Sequence, residues 1–231
     1  MDDVKTPPLT TFCLKLSDPR SLVPLADKMT LGSSTSLDKR AGVLTLFIMG
    51  AAGDFVSGLR WDQQEGMWEG SQRYLSDTNL DVITAEAIVW IHFLVGRLWL
   101  ADKKNDPDMF ERLGRGTTHT AFELALSWIE DHTGFNFKPR AIERRKLYLE
   151  ALKDNTVSFE PFATMVLRSV GCQSFAEPLK TIGLLGPSEW TPLSMYVGIF
   201  YSTMVTGFYE TFKNCLRQWS DRFPHDEDFD D

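Results

Sequence analysis

VWIHFLVGRLW, residues 89–99, decides how this chain folds: a run this apolar, with His92 and Arg97 inside it, either crosses a bilayer or lies in a protein core. The wider window Val82–Ala101 has 20 residues, the length a membrane-spanning helix needs. Its ionisable side chains argue for the core. The insertion energy of its aliphatic and aromatic residues is offset by Glu86 and Arg97, each costing up to about 3 kcal/mol at depth. A second apolar window, Trp190–Tyr209, has no charge but is rich in Thr, Ser, Gly and Pro, and the mean hydropathy of −0.19 is that of a soluble protein. The expectation is a central helix over 79–102 in a soluble bundle, with no membrane.

A buried helix needs partners for its polar groups. Glu86 and Arg97 share a face to within about 20° but stand about 16 Å apart along the axis, so they cannot pair with each other. Each is therefore expected to meet an opposite charge from another helix: Asp54 for Arg97, and an Arg of segment 138–146 for Glu86. Asp54, Glu86, His92 and Arg97 make up the expected buried polar network.

Helical periodicity extends outward from this element. Behind Ser36 as N-cap, Leu37, Ala41, Leu44, Ile48, Ala51, Phe55 and Leu59 recur at steps of three and four. The segment 61–75, with Trp61, Trp68, Tyr74 and two glycines, reads as a short helix or a structured loop. Asp106-Pro107 opens another helix, which is expected to stop at Gly114-Arg115-Gly116, and Thr120 with Glu123 has the spacing of a capping box for a further helix ending at Thr133-Gly134. KPRAIERRKLYLEALKD (138–154) is helical, with Pro139 in its first turn and Ile142, Leu149 and Leu152 expected inward. Short helices follow over 158–170 and 175–185, then a long one from Pro192 with Val197, Tyr201, Met204, Phe208, Phe212, Cys215 and Trp219 along one seam. Its small stripe, Gly198, Ser202 and Thr206, permits close helix approach within the fold or in a homodimer.

The predicted fold class is thus all-α: a single-domain irregular bundle of about 7–8 helices over 37–223. Residues 1–36, Pro/Ser/Thr-rich, are expected to be an extended N-terminal arm in which LTTFCLKL (9–16) could be a strand or docked coil. Residues 224–231, PHDEDFDD, are expected to be a disordered acidic tail.

At 231 residues with 43% hydrophobic content, seven Trp and sixteen Phe, the chain can bury a large core. The net charge is −8, yet the five acids of 224–231, with no base among them, leave the rest close to neutral, which disfavours nucleic-acid binding. Three scattered cysteines without metal spacing suit a reducing, cytoplasmic setting, and the start MDDVKTPPL does not read as a secretory signal.

Four groups of residues offer chemistry. His92 lies inside the apolar run. His119, Glu123 and Glu130 share a helical face, so His119 and Glu123 are candidates for acid/base work, against a simpler exposed i,i+4 pair. The chain lacks ExxH pairs and HExxH, so neither a metal nor a cofactor is expected. LGRGTTHT (113–120) places Gly114 and Gly116 beside Arg112 and Arg115, an arrangement that can cradle an anion or simply turn the chain. Arg140, Arg144, Arg145 and Lys146 on one side, and Asp226, Asp228 and Phe229 on the other, are candidate partner-binding groups; the acidic set can meet a basic protein or fold back on the chain's own basic helix. His132 suits a helix C-terminus. Two classes of function follow: a non-catalytic cytosolic protein-binding module of adaptor, inhibitor or toxin-neutralising type, or a helical enzyme or small-ligand receptor with an interhelical pocket.

Overall fold

The structure, a computed structural model, describes residues 7–31, 36–64, 77–153, 162, 192–203 and 207–218. Among the described residues there are eight helices and no strand: α1 Leu9–Leu16, α2 Pro19–Leu31, α3 Ser36–Gln64, α4 Asp77–Asn105, α5 Pro107–Thr133, α6 Lys138–Lys153, α7 Pro192–Thr203 and α8 Tyr209–Gln218. The centre is built from α3 and α4. Residues 41–53 of α3 and 83–95 of α4 are buried on every side, which is the environment a helix without a polar face requires. The windows Leu37–Leu59 and Leu80–Asn105 are each long and apolar enough to cross a membrane; in this structure 83% and 72% of their most apolar parts are covered by the rest of the chain.

The surrounding helices are fastened to these two at identifiable points. Leu9–Leu16, expected as strand or coil, is instead helical, with Leu9, Cys13 and Leu16 buried at steps of four and three. Eight residues are too few to separate a period of 2 from one of 3.6, and long-range contacts decide. Pro8 supplies no side-chain cap, so Asp81 of α4 does: its Oδ1 accepts from Thr10 N (2.8 Å) and Thr10 Oγ1 (2.7 Å). Close approach is made possible by Gly53 in α3, where a Cβ would lie 2.0 Å from the Cys13 carbonyl oxygen. Residues 7–31 thus contribute two helices, and both α1 and α2 contact α3.

Asp106 caps α5 as expected, accepting from Met109 N with Pro107 in the first turn, and Gly134 closes it in the left-handed conformation at φ 68°. The expected stop at 114–116 is confined to Gly114, whose φ of 62° and ψ of 159° interrupt the helix for one residue. Helix resumes at once, so Thr120 is an interior residue and starts nothing. The capping box gives way because Thr117, Ala121 and Phe122 are buried and continue the apolar face.

In α6 the inward face is not the expected one. Ile142 and Leu149 are exposed, at 46% and 51%, whereas Ala141, Arg144 and Tyr148 are buried. The carboxylate of Glu86 in α4 turns the helix: a buried charge needs its counter-charge, and that requirement outweighs two aliphatic side chains. The side chain of Leu152 and the segments 158–170 and 175–185 lie outside the described residues except Phe162, which is buried and stacks on Trp90 at 4.3 Å. The expected long final helix is described as α7 and α8; Val197 and Phe212 are buried in it, while the side chains of Met204, Trp219, Ser202 and Thr206 are outside the described residues.

Candidate functional site

The expected four-residue polar network separates into distinct places. Glu86, fully buried, is held by α6, with Arg140 Nε 2.7 Å from Oε1 and Arg144 Nε 3.2 Å from Oε2. That pairing was legible from sequence. It also withdraws the buried Arg144 from the expected partner-binding surface and commits the half-buried Arg140 to the same interior carboxylate. Asp54 and Arg97 do not pair: Asp54 is half-buried, with desolvation raising its carboxyl above the ordinary value, and Arg97 is exposed. His92 is buried, its Nε2 donating to the Thr118 carbonyl oxygen at 2.8 Å, and burial pulls its pKa down to about 4. It is therefore a neutral imidazole with a fixed tautomer at neutral pH.

The other sequence candidates are also accounted for. Glu123 is bound to Lys138 Nζ at 2.6 Å rather than to His119, so neither the acid/base pair nor the simple i,i+4 pair forms. Glu130 is exposed, and no cluster of three metal-ligating side chains occurs among the described residues. Arg112 pairs with Asp108 at 2.8 Å, which removes it from the supposed anion cradle with Gly114. His132, in the last turn of α5, makes its contacts outside its own helix: its Nδ1 meets the Pro7 carbonyl at 2.7 Å and its ring stacks on Phe12 at 4.6 Å. Trp68 and Tyr74, the side chain of Trp61, and Asp226, Asp228 and Phe229 lie outside the described residues.

What the structure does assemble is a groove of about 670 Å³ between α4, α5 and α6. From α4 come Phe93, Arg97, Trp99 and Leu100, from α5 Arg115 and His119, and from α6 Arg145 and Leu149, with His92 and Thr118 behind them. Three arginines line it and, among the described residues, no carboxylate does. Among the described residues none of these guanidinium groups has an acidic partner; Arg145 instead lies over the Phe122 ring at 4.7 Å, and partial burial disfavours its charge. Gly96 and Gly116 keep the walls open, and the gap at Gly114 sets Arg115 at the start of a new helical stretch. Such a surface can hold an anion by charge and bury an apolar group against Trp99, Phe93 and the exposed Leu100 and Leu149.

Sequence reasoning named His92, Arg97, Arg115, His119 and Arg145 singly but not as one site. The signal that unites two of them is the i,i+4 spacing of Arg115 and His119; the rest depends on the crossing of α4 by α6. A second cluster was missed altogether. At the end of α4, Asp102 accepts from Tyr209 Oη (2.7 Å) and pairs with Lys213 (3.4 Å), and Arg217 binds Asp106. These contacts clamp α8 across the α4–α5 junction. No family model, curated protein or solved structure matches this chain.

Proposed function

We propose that this chain is a helical protein-binding module whose groove between α4, α5 and α6 takes an acidic segment of a partner protein, anchored by an apolar side chain. The observation that carries this reading is the lining itself: Arg97, Arg115 and Arg145, with no carboxylate among the described residues, beside Trp99, Leu100 and Leu149. In a chain of net charge −8, a groove lined by three arginines is a local reversal of sign that selects anionic partners and steers their approach. The apolar rim supplies the buried anchor on which affinity between proteins depends. The partner's charge is then the reverse of the one suggested by residues 224–231 alone. A cytoplasmic setting belongs to the same reading, and the buried free thiol of Cys13 supports it.

The test is fluorescence anisotropy with a short labelled peptide of Asp and Glu around one Phe. The double variant Arg97→Glu and Arg115→Glu alters two exposed side chains and leaves the core intact; it should weaken binding by about tenfold or more at low salt, with the difference shrinking as salt rises. Equal affinity for the parent and the variant refutes the groove as the docking site. Binding of octyl phosphate, with no binding of the peptide, would assign the groove to a small amphipathic anion instead.

A further inference from the structure

The groove has a candidate occupant within the chain. Helix α8 ends at Gln218, where Arg217 is bound to Asp106 just beyond the last turn of α4. Thirteen residues follow, 219–231, enough to span on the order of 40 Å when extended. The near end of the groove, Leu100, lies about 9 Å from Asp106 along the axis of α4, on the other side of a helix about 10 Å across. The reach required is well inside the length present.

The path between the two is marked by charge. Lys103 and Lys104 are exposed on the last turns of α4 and stand one helical turn beyond Trp99 and Leu100 respectively. Lys104 is also two turns beyond Arg97, on the same face. Basic side chains thus run from the end of α8 into the groove and continue through Arg97 to Arg115 and Arg145. Residues 224–231 offer the complement: Asp226, Glu227, Asp228, Asp230 and Asp231, no base, and Phe229 among them as an aromatic anchor for the surface formed by Trp99 and Leu149.

We infer that residues 224–231 occupy the α4–α5–α6 groove of their own chain as a reversible cover, and that a partner's acidic segment must displace them. This regulation rests on the reading of the groove as a docking site for acidic segments. A tethered segment acts at an effective concentration in the millimolar range, so a cover with weak intrinsic affinity still competes. The contact depends on salt, because most of its charges are at the surface.

The inference is tested in the full chain with five substitutions, Asp226→Asn, Glu227→Gln, Asp228→Asn, Asp230→Asn and Asp231→Asn, using the same labelled Asp/Glu/Phe peptide. The neutralised chain should bind the peptide about tenfold more tightly than the parent at low salt, and the advantage should vanish at high salt. In parallel, carbodiimide, which joins an amine to a carboxylate in direct contact, should link Lys103 or Lys104 to residues 224–231 within one parent chain. Equal peptide affinity for the two chains overturns the cover while leaving the groove reading intact. If the peptide binds neither chain, the groove reading falls, and the cross-links decide the cover: their absence overturns it and their presence upholds it.

Discussion

Replacing Glu86 by Gln tests the electrostatic centre of the fold. Its carboxylate is fully buried and faces two guanidinium groups, Arg140 at 2.7 Å with a side chain 31% exposed and Arg144 at 3.2 Å with a side chain 10% exposed. The substitution keeps the shape and removes the charge. Arg140 can turn to water at small cost, but Arg144 remains in the interior with only the exposed Glu143 carboxylate, 3.7 Å away, as counter-charge. Breaking a buried pair from one side costs about 3–5 kcal/mol, and at this chain length 3 kcal/mol lowers Tm by roughly 6–12 °C. Arg144→Met should cost less, because Glu86 keeps its shorter contact with Arg140 and the excess positive charge disappears. Arg140→Met should cost least, because its side chain is the most exposed. The double variant Glu86→Gln with Arg144→Met should regain much of the loss, since the stranded charge is gone. Urea unfolding at neutral pH, analysed by linear extrapolation, measures all four. A Glu86→Gln penalty below about 1 kcal/mol, or an Arg144→Met penalty exceeding it, would refute the claim that this pairing turns α6 inward.

His92 gives a pH-dependent prediction. Its pKa is about 4 when folded, against about 6.5 unfolded, so the unfolded chain takes up the proton first as pH falls. The stability this residue confers is complete above pH 6.5 and is lost as pH falls towards 4, about 3 kcal/mol in all. His92→Gln, which can still donate to the Thr118 carbonyl, should lose that part of the slope in urea unfolding between pH 7 and 4.5; an unchanged slope would show that the imidazole is not the titrating group. The helical glycines give a matched pair. Gly53→Ala places a Cβ 2.0 Å from backbone oxygen that cannot move aside, and should cost about 3 kcal/mol or force α1 off, whereas Gly96→Ala meets nothing within 4 Å and should stabilise by up to about 1 kcal/mol. Thermal melts of the two variants that move in the same direction would contradict the packing of α1 on α3.

The sequence shows most where one physical requirement has a single solution. Glu86 in an apolar run calls for a cation from another helix, and the densest basic run of the chain, KPRAIERRK, lies at 138–146. Asp106-Pro107 and Thr133-Gly134 are helix boundaries because caps are local chemistry. The readings that change are those where two local patterns tie and tertiary contacts choose between them. LTTFCLKL serves either period until Asp81 and Gly53 are placed beside it. The apolar stripe of α6 competes with its arginines, and the unmet charge in α4 wins. Arg97 is misplaced for the opposite reason: it sits near the end of the buried stretch of α4, where solvent is within reach and no internal partner is needed. The groove was illegible as a site because its arginines come from three helices and become neighbours only through their crossing.

The arrangement of α4 also bears on how its apolar length should be understood. Every ionisable group along its buried course is met by a different element: Asp81 by α1, Glu86 by α6, His92 by the α5 backbone and Asp102 by α8. A lipid-facing helix would offer such groups no partners and would carry their desolvation cost in full. An axial helix in a bundle needs the same length and apolarity, because it is surrounded on all sides, and each of its charges specifies which neighbour docks and at what rotation. The apolar run 89–99 and the charges around it are thus two halves of one device. The first excludes water from the centre, and the second determines where α1, α6 and α8 attach, which in turn sets the crossing of α4 and α6 that opens the groove.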